Sequence, residues 1–263
     1  MTEAAFRFSI FLIVFALIGL AEVLWPRRKP SDDKARRWRT NLGLVVVNVL
    51  AQRLTLGAIA FAAALYAGDK GWGLFNLVAL PLWLEGAITL VILDAAIYLQ
   101  HVATHKVPLL WRLHRVHHAD LDVDVTTGLR FHPIEILLSL LYKATLVLAL
   151  GADPLVVLIF EALLNAATLF THGNIALPIR WDSALRWIIC TPDMHRRHHS
   201  VVRVETDSNY GNVLSLWDRL CGTYFQQPAL GQDGVVLGQD DLRDGGQLGL
   251  FNLLKLPLTK PMS

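Results

Sequence analysis

The chain has 263 residues, 54% of them apolar and only 17% charged, with a formal net charge of +2. A mean hydropathy of +0.42 is too high for an ordinary soluble domain and points to a polytopic membrane protein. Two cysteines, Cys190 and Cys221, exclude a disulfide framework and fit a reducing compartment. Basic residues are not interleaved with aromatics along one face, which excludes a nucleic-acid partner.

Residues 8–25 (FSIFLIVFALIGLAEVLW is the core of this run) are long enough to span a membrane, with Trp25 as an interfacial anchor. No A-x-A-like cleavage site follows, so the run is read as a retained helix. Pro26 ends it. Arg27, Arg28, Lys29, Lys34, Arg36, Arg37 and Arg39 then form a basic segment, read as a solvated loop that sets topology. The positive-inside rule places this loop in the cytoplasm and the N-terminus outside.

Residues 42–67 read as a second span. Arg53 falls in its interior, where a charge is costly. Either it has a partner inside the bundle, or the first half of the segment lies along the interface. A turn-like loop, 68–76, leads to a third span over 77–100. The lower half of that span carries Asp94, Tyr98, His101 and His105, all on one helical face. An acid inside an apolar span is a functional-site candidate, so Asp94 and Tyr98 are candidate catalytic residues, with Asp94 suited to orient an imidazole.

Residues 106–133 are polar. Asp120, Asp122 and Asp124 lack the glycine and glutamate of a calcium loop. Residues 134–150 and 153–171 read as two apolar helices joined in a tight hairpin. The second carries Glu161, Asn165, Thr168 and His172 on one face. Glu161 either belongs to a functional path or pairs structurally, for example with Arg53. From Pro178 onward the chain is soluble in character, with Trp181, Trp187 and Trp217 resting against the membrane surface. The fold expected is all-α: an integral membrane bundle of about four or five transmembrane helices with a cytoplasmic histidine-rich cap. Residues 1–89 supply N-terminal helices and the basic loop, 90–225 a catalytic domain, and 226–263 a C-terminal tail.

All ten histidines lie between His101 and His199. His101 and His105 form an HxxxH. His114, His117 and His118 form an HxxHH, and His195, His198 and His199 form another. His132 and His172 stand alone. On a helix, positions i, i+3 and i+4 are neighbours, so each box can present several imidazoles to one point. Imidazole is a common transition-metal ligand, and this many exceeds the four that a structural zinc takes, so the count suits two metal ions. Ligand type alone leaves zinc, copper, iron and nickel open. No HExxH is present to supply a zincin-type general base.

The boxes HVATH, HRVHH and HRRHH, with the flanks LLWRLHRVHH, RFHPIE, TPDMHRRHH and NYGNVLSLWDRLCGTY, resemble bacterial members of the fatty acid hydroxylase/sterol desaturase superfamily. The resemblance covers roughly residues 90–225. It implies a membrane-bound non-haem di-iron oxygenase, expected in the bacterial inner membrane, and the topology of the spans puts the histidine boxes and the C-terminus on the cytoplasmic side. Such an enzyme uses dioxygen and two electrons to hydroxylate or desaturate a lipid C–H position. The ligands implied are His101, His105, His114, His117, His118, His195, His198 and His199, with His172 and His132 in addition, and Asn174 to hold a metal-bound water. Some members carry a paired HxxxH where this chain has His172 preceded by Thr168. No haem domain is visible in the sequence, so the electrons are expected from a separate cytochrome b5-like, ferredoxin or reductase donor; Arg115, Arg196 and Arg197 form either its docking face or a solvated basic face toward phospholipid headgroups. A membrane zinc hydrolase would instead turn over without oxygen or reductant, and a non-enzymatic metal-binding protein would hold metal without turnover.

Overall fold

In the computed structural model, which describes residues 3–78 and 80–259, the chain is built from helices, with only isolated bridges and no strand among the described residues. Helices α1 (Glu3–Leu24), α2 (Lys34–Thr55), α3 (Ile59–Lys70), α4 (Leu74–Leu77), α5 (Leu82–Lys106), α7 (Pro133–Leu150) and α8 (Pro154–His172) form a bundle. Helices α6 (Pro108–His118), α9 (Ile179–Leu185) and α10 (Pro192–His198) belong to a cap at one end. Five stretches are long and apolar enough to cross a membrane: Glu3–Leu24, Lys34–Leu77, Leu82–Lys106, Pro133–Leu150 and Pro154–His172.

The second stretch is not the single helix expected over 42–67. It starts eight residues earlier, where Asp33 caps α2 by accepting the Ala35 and Arg36 N–H groups at 2.9 and 3.2 Å. It then breaks at Gly57, whose φ of 55° lies in the left-handed region that glycine tolerates. Arg53 is therefore not in the interior of a helix. It is exposed in the last turn of α2, where the free carbonyls favour a cation.

The bundle core joins Ala60 and Ala64 of α3 to Leu93 of α5, Val147 of α7, and Val157 and Phe160 of α8. Small residues on α3 let the helices approach closely. The α7–α8 hairpin closes through Gly151, at φ 67°, and through Asp153, whose carboxylate caps α8 at Leu155 N–H (2.7 Å). Glu85 of α5 accepts the Asp153 N–H at 2.9 Å and fixes the hairpin to the bundle.

The basic segment expected as a solvated loop is instead a clamp. Along α2, Arg37, Asn41, Leu44 and Asn48 recur at helical spacing and are buried against residues 116–131. Arg37 forks onto Asp120 (2.6 and 3.0 Å), reaches Asp124 at 2.8 Å and donates to the Asp122 carbonyl at 2.7 Å. Asp122 in turn accepts the Ser31 and Asp32 N–H groups, both at 2.8 Å. The three acids thus hold an arginine and a chain turn. Burial alone would raise the Asp120 carboxyl, but Arg37 and Arg130 outweigh it and hold the group well below the usual carboxylate range.

Residues 226–259 pack back onto the cap. Leu248, Leu253 and Leu256 meet Leu44, Val116, Ala119 and Leu121, while Val235 and Leu237 meet Val123. Single bridges pair Pro26 with Ile175, Ile189 with Leu214, and Ser200 with Leu237, so the cap is stitched to the α1 exit. Cys190 is buried and Cys221 exposed, and both are free.

Candidate metal centre

Nine histidines converge where the bundle meets the cap. They divide into two groups: His101, His105, His114, His118 and His198 in one, and His117, His172, His195 and His199 in the other, with ligand atoms within 4.8 Å of one another in each. Helix geometry explains the division. A residue at i+4 lies about 40° from i around the helix and one at i+3 about 60° the other way, at roughly 100° per residue. His114 and His118 accordingly share a group while His117 turns into the other. In the third box, His195 and His199 stay together while His198 crosses over. The HxxHH boxes therefore do not present all three rings to one point. Each bridges both groups.

The hydrogen bonds on the far side of the rings settle what the near side offers. His101 Nδ1 meets the Tyr210 carbonyl at 2.7 Å, His198 Nδ1 the Ser208 carbonyl at 2.8 Å, His117 Nδ1 the Arg130 carbonyl at 3.2 Å, and His172 Nδ1 the Thr168 carbonyl at 2.7 Å. A carbonyl only accepts, so each of these Nδ1 atoms donates and each Nε2 carries a lone pair. Yet His117 Nε2 and His172 Nε2 face each other at 3.0 Å. His195 and His199 bring their Nε2 atoms to 3.1 and 3.3 Å from that of His172. Lone pairs pointed at one another repel unless a cation lies among them. In the first group, Nε2 of His101, His105, His114, His118 and His198 are all buried without a partner. Both groups have the donor chemistry of a transition-metal site.

The surroundings keep the rings neutral, as ligands must be. Burial, followed by the neighbouring imidazoles, pushes His117, His118, His195 and His199 well below the ordinary histidine value, and His198 down to about 3. A carboxylate orients one further ring: Glu135 Oε1 lies 2.6 Å from His114 Nδ1, whereas Asp207 Oδ1 stands 3.5 Å from His105 Nδ1 without a hydrogen bond. Phe131 stacks on His117 at 4.5 Å between ring centroids. Sequence reasoning passed over Glu135, although it sits three residues after His132 in RFHPIE, on the first turn of α7. Glu135→Leu is expected to loosen metal retention by about 10–100-fold with helicity unchanged, measured by competition against a chelator.

His132 is placed outside both groups. Its Nδ1 accepts the Ile134 N–H at 3.2 Å as the cap of α7, and its Nε2 lies 3.3 Å from the Leu254 carbonyl. A ring used at both nitrogens by backbone has none left for a metal. Asp94 accepts from Trp217 Nε1 (2.8 Å) and the Leu214 N–H (3.2 Å), and Tyr98 bonds Thr223 at 2.9 Å. These two anchor the segment 214–223 rather than reach the centre. Asn174 is spent on Arg28, bonding its carbonyl at 2.8 Å and its N–H at 3.2 Å. The expected docking arginines are buried. Arg115 pairs with Asp241, Arg196 with Asp193, and Arg197 bonds the Gln227 carbonyl and covers Phe225. They lie on the sides of α6 and α10 turned away from the rings, where the C-terminal segments cover them.

A cavity of about 370 Å³ opens from His101, His114, His117, His172 and His195 into the bundle. Leu129, Ile136, Leu140, Leu164 and Ile97 give it apolar walls. The second polar stripe, Glu161, Asn165, Thr168 and His172, lines it throughout. Glu161 pairs not with Arg53 but with Lys143, at 2.9 Å, and with Arg7.

Nine imidazoles in two converging groups, eight of them buried and His101 half-buried, sit at the end of an apolar helical bundle, open to a cavity within it, and form a candidate metal centre in a chain with five stretches long and apolar enough to cross a membrane. The family model for fatty acid hydroxylases matches residues 86–223, and the chain belongs to that family. Among characterised relatives, it is 30% identical over 242 residues to the ornithine lipid hydroxylase OlsE of Rhizobium tropici, covering 85% of this chain and 71% of that protein. It is also 30% identical to the alkylglycerol monooxygenases of Xenopus tropicalis, over 161 residues (58% of this chain, 34% of that protein), and of Homo sapiens, over 131 residues (50% and 28%). The chain thus spans about a third or less of these two monooxygenases. No solved structure matches the chain.

Proposed function

We propose that this chain is a membrane non-haem di-iron oxygenase that hydroxylates a C–H position of a lipid. The observation that carries the reading is the meeting of lone-pair nitrogens at one end of a cavity that runs into an apolar bundle. One iron is assigned to His101, His105, His114, His118 and His198, and the other to His117, His172, His195 and His199. When bound, the iron pair supplies the reductive activation of dioxygen and the removal of hydrogen from carbon. The chain's own contribution is position and dryness. Backbone carbonyls fix the ring orientations, and Leu129, Phe131, Ile136 and Leu140 wall the approach so that a lipid segment, not water, fills it. Hydroxylation is preferred to desaturation because the relatives' names describe a hydroxylase and monooxygenases.

The electrons come from a separate cytochrome b5-like, ferredoxin or reductase partner. The centre lies on the cytoplasmic side of the bacterial inner membrane, on the same side as the basic residues between Arg27 and Arg39.

The test combines elemental analysis with turnover. Protein purified from cells grown without added zinc is expected to hold about two irons per chain, the number that two histidine groups of this kind take. It is expected to oxidise membrane lipid extracts only with both oxygen and reductant. Turnover without either would move the assignment to a zinc hydrolase, and iron without any turnover to a metal-holding protein.

A further inference from the structure

The cavity does not end as a hydrocarbon tunnel would. Its far end carries Arg7 of α1, Lys143 of α7 and Glu161 of α8. Glu161 lies 11 residues before His172 on α8, about 16 Å at the helical rise. Lys143 lies 8 residues beyond Glu135 on α7, about 12 Å. Both Glu161 oxygens are engaged, one by Lys143 Nζ at 2.9 Å and the other by Arg7. Arg7 also pairs with Glu3 at the start of α1. The capacity left over is all donor. Arg7 Nη2 is buried without a hydrogen-bond partner, and the Lys143 ammonium has three N–H groups, one of them used.

Charges inside a span are unfavourable and are retained where they serve a site. For structure alone, well-packed apolar residues would do as well as a buried ion pair. An occupant made only of methylenes would leave these donors unmatched. An occupant with a bare acceptor oxygen, which has no proton of its own to place, would match them.

We propose that Arg7, Lys143 and Glu161 form a subsite for a carbonyl-type oxygen of the lipid, from an ester, an amide or a carboxylate, held at the end of the cavity remote from the histidines. The inference rests on the lipid-oxygenase reading and adds a ruler to it. The acyl oxygen is gripped at the charged end, and the C–H bond that reacts is the one that reaches back, roughly 12–16 Å by helical rise, to the histidines.

The test reads binding without turnover. The iron-loaded chain in nanodiscs, kept anaerobic and without reductant, is titrated with dodecane, methyl laurate and laurate, corrected for partition into the nanodisc lipid. Methyl laurate is expected to bind about tenfold or more tightly than dodecane, the worth of one hydrogen bond to a charged donor. In Arg7→Met/Lys143→Met/Glu161→Gln, which removes all three charges together, that preference is expected to collapse, while Lys143→Arg keeps it. The ester carbonyl stretch of labelled methyl laurate bound to the wild type is expected to shift to lower frequency than in the nanodisc lipid. This measurement stands even if the triple variant does not fold. Equal affinity for dodecane and methyl laurate, an unshifted carbonyl band, or a preference that survives in the triple variant would overturn the subsite. Laurate binding as tightly as methyl laurate identifies a free acid as an acceptable source of the oxygen, and exclusion of laurate identifies a neutral ester or amide. A failed oxygenase reading shows itself separately, as a probe that binds but is never oxidised when oxygen and reductant are restored.

Discussion

Replacing His117 and His172 with alanine is expected to halve the bound iron and abolish oxygen-dependent lipid oxidation, while the chain still inserts and keeps its helicity. Both residues belong to the four-histidine group, which is left with His195 and His199. Two imidazoles do not hold iron against a chelator, whereas the five-histidine group keeps all its members. The helices survive because the bundle core is built from Ala60, Ala64, Leu93, Val147, Val157 and Phe160, none of which touches the centre's chemistry. Removing the pair also relieves the lone-pair contact at 3.0 Å. Iron per chain, circular dichroism and turnover on the same preparation check the three parts. The contrasting variant, His117→Ala/His118→Ala, draws one ligand from each group and is expected to deplete both sites partially rather than empty one. Retained turnover in either variant would sink the ligand assignment.

Arg37→Leu is expected to give the largest loss of stability. The arginine is almost fully buried and is shared by Asp120, Asp124 and the Asp122 carbonyl. Its removal leaves two buried carboxylates facing each other with less compensation. Breaking one partner out of a buried pair typically costs about 3–5 kcal/mol. The damage should fall on the cap, because Arg37 ties α2 to residues 120–127, which follow directly on the second box. Partial recovery is expected when Asp120→Leu is added, since the uncompensated charge goes with it. Thermal unfolding followed by tryptophan fluorescence, with iron retention measured alongside, distinguishes a loosened cap from a lost ligand. An unchanged transition in Arg37→Leu would show that the network contributes nothing to the fold.

The sequence made visible what depends on local spacing. Apolar runs of span length marked the bundle, and the His101–His105 and HxxHH spacings marked faces that carry ligands. The Glu161–His172 stripe likewise lies along the cavity, because period and polarity are both local properties. What depends on distant partners was not visible. The role of Arg37 is set by Asp120, 83 residues away, and that of Tyr98 by Thr223, 125 residues away. A basic run looks solvated until the acids that bury it are placed beside it. The same limit applies to Asp94 and Asn174. An acid or amide near a histidine box in sequence looks like part of the chemistry, and only the fold reveals that Trp217 and Arg28 occupy them. The division of each HxxHH between two groups lies between these cases. The angles were implicit in helical geometry, but the presence of a second acceptor for the odd ring was not.

That division has a consequence for the order in which the molecule is made. Translation delivers His101 first, then the second box, then His172, and α10 last. One group is completed by His198 and the other by its immediate neighbour His199. The rings that arrive early are oriented by carbonyls that arrive later still, as His101 is by Tyr210, 109 residues downstream. A nascent chain whose last membrane helix has just been inserted therefore displays seven of the ten histidines with neither set finished. Two consecutive residues then close both sets at once, so the pair of sites matures as a unit after synthesis of the bundle is over.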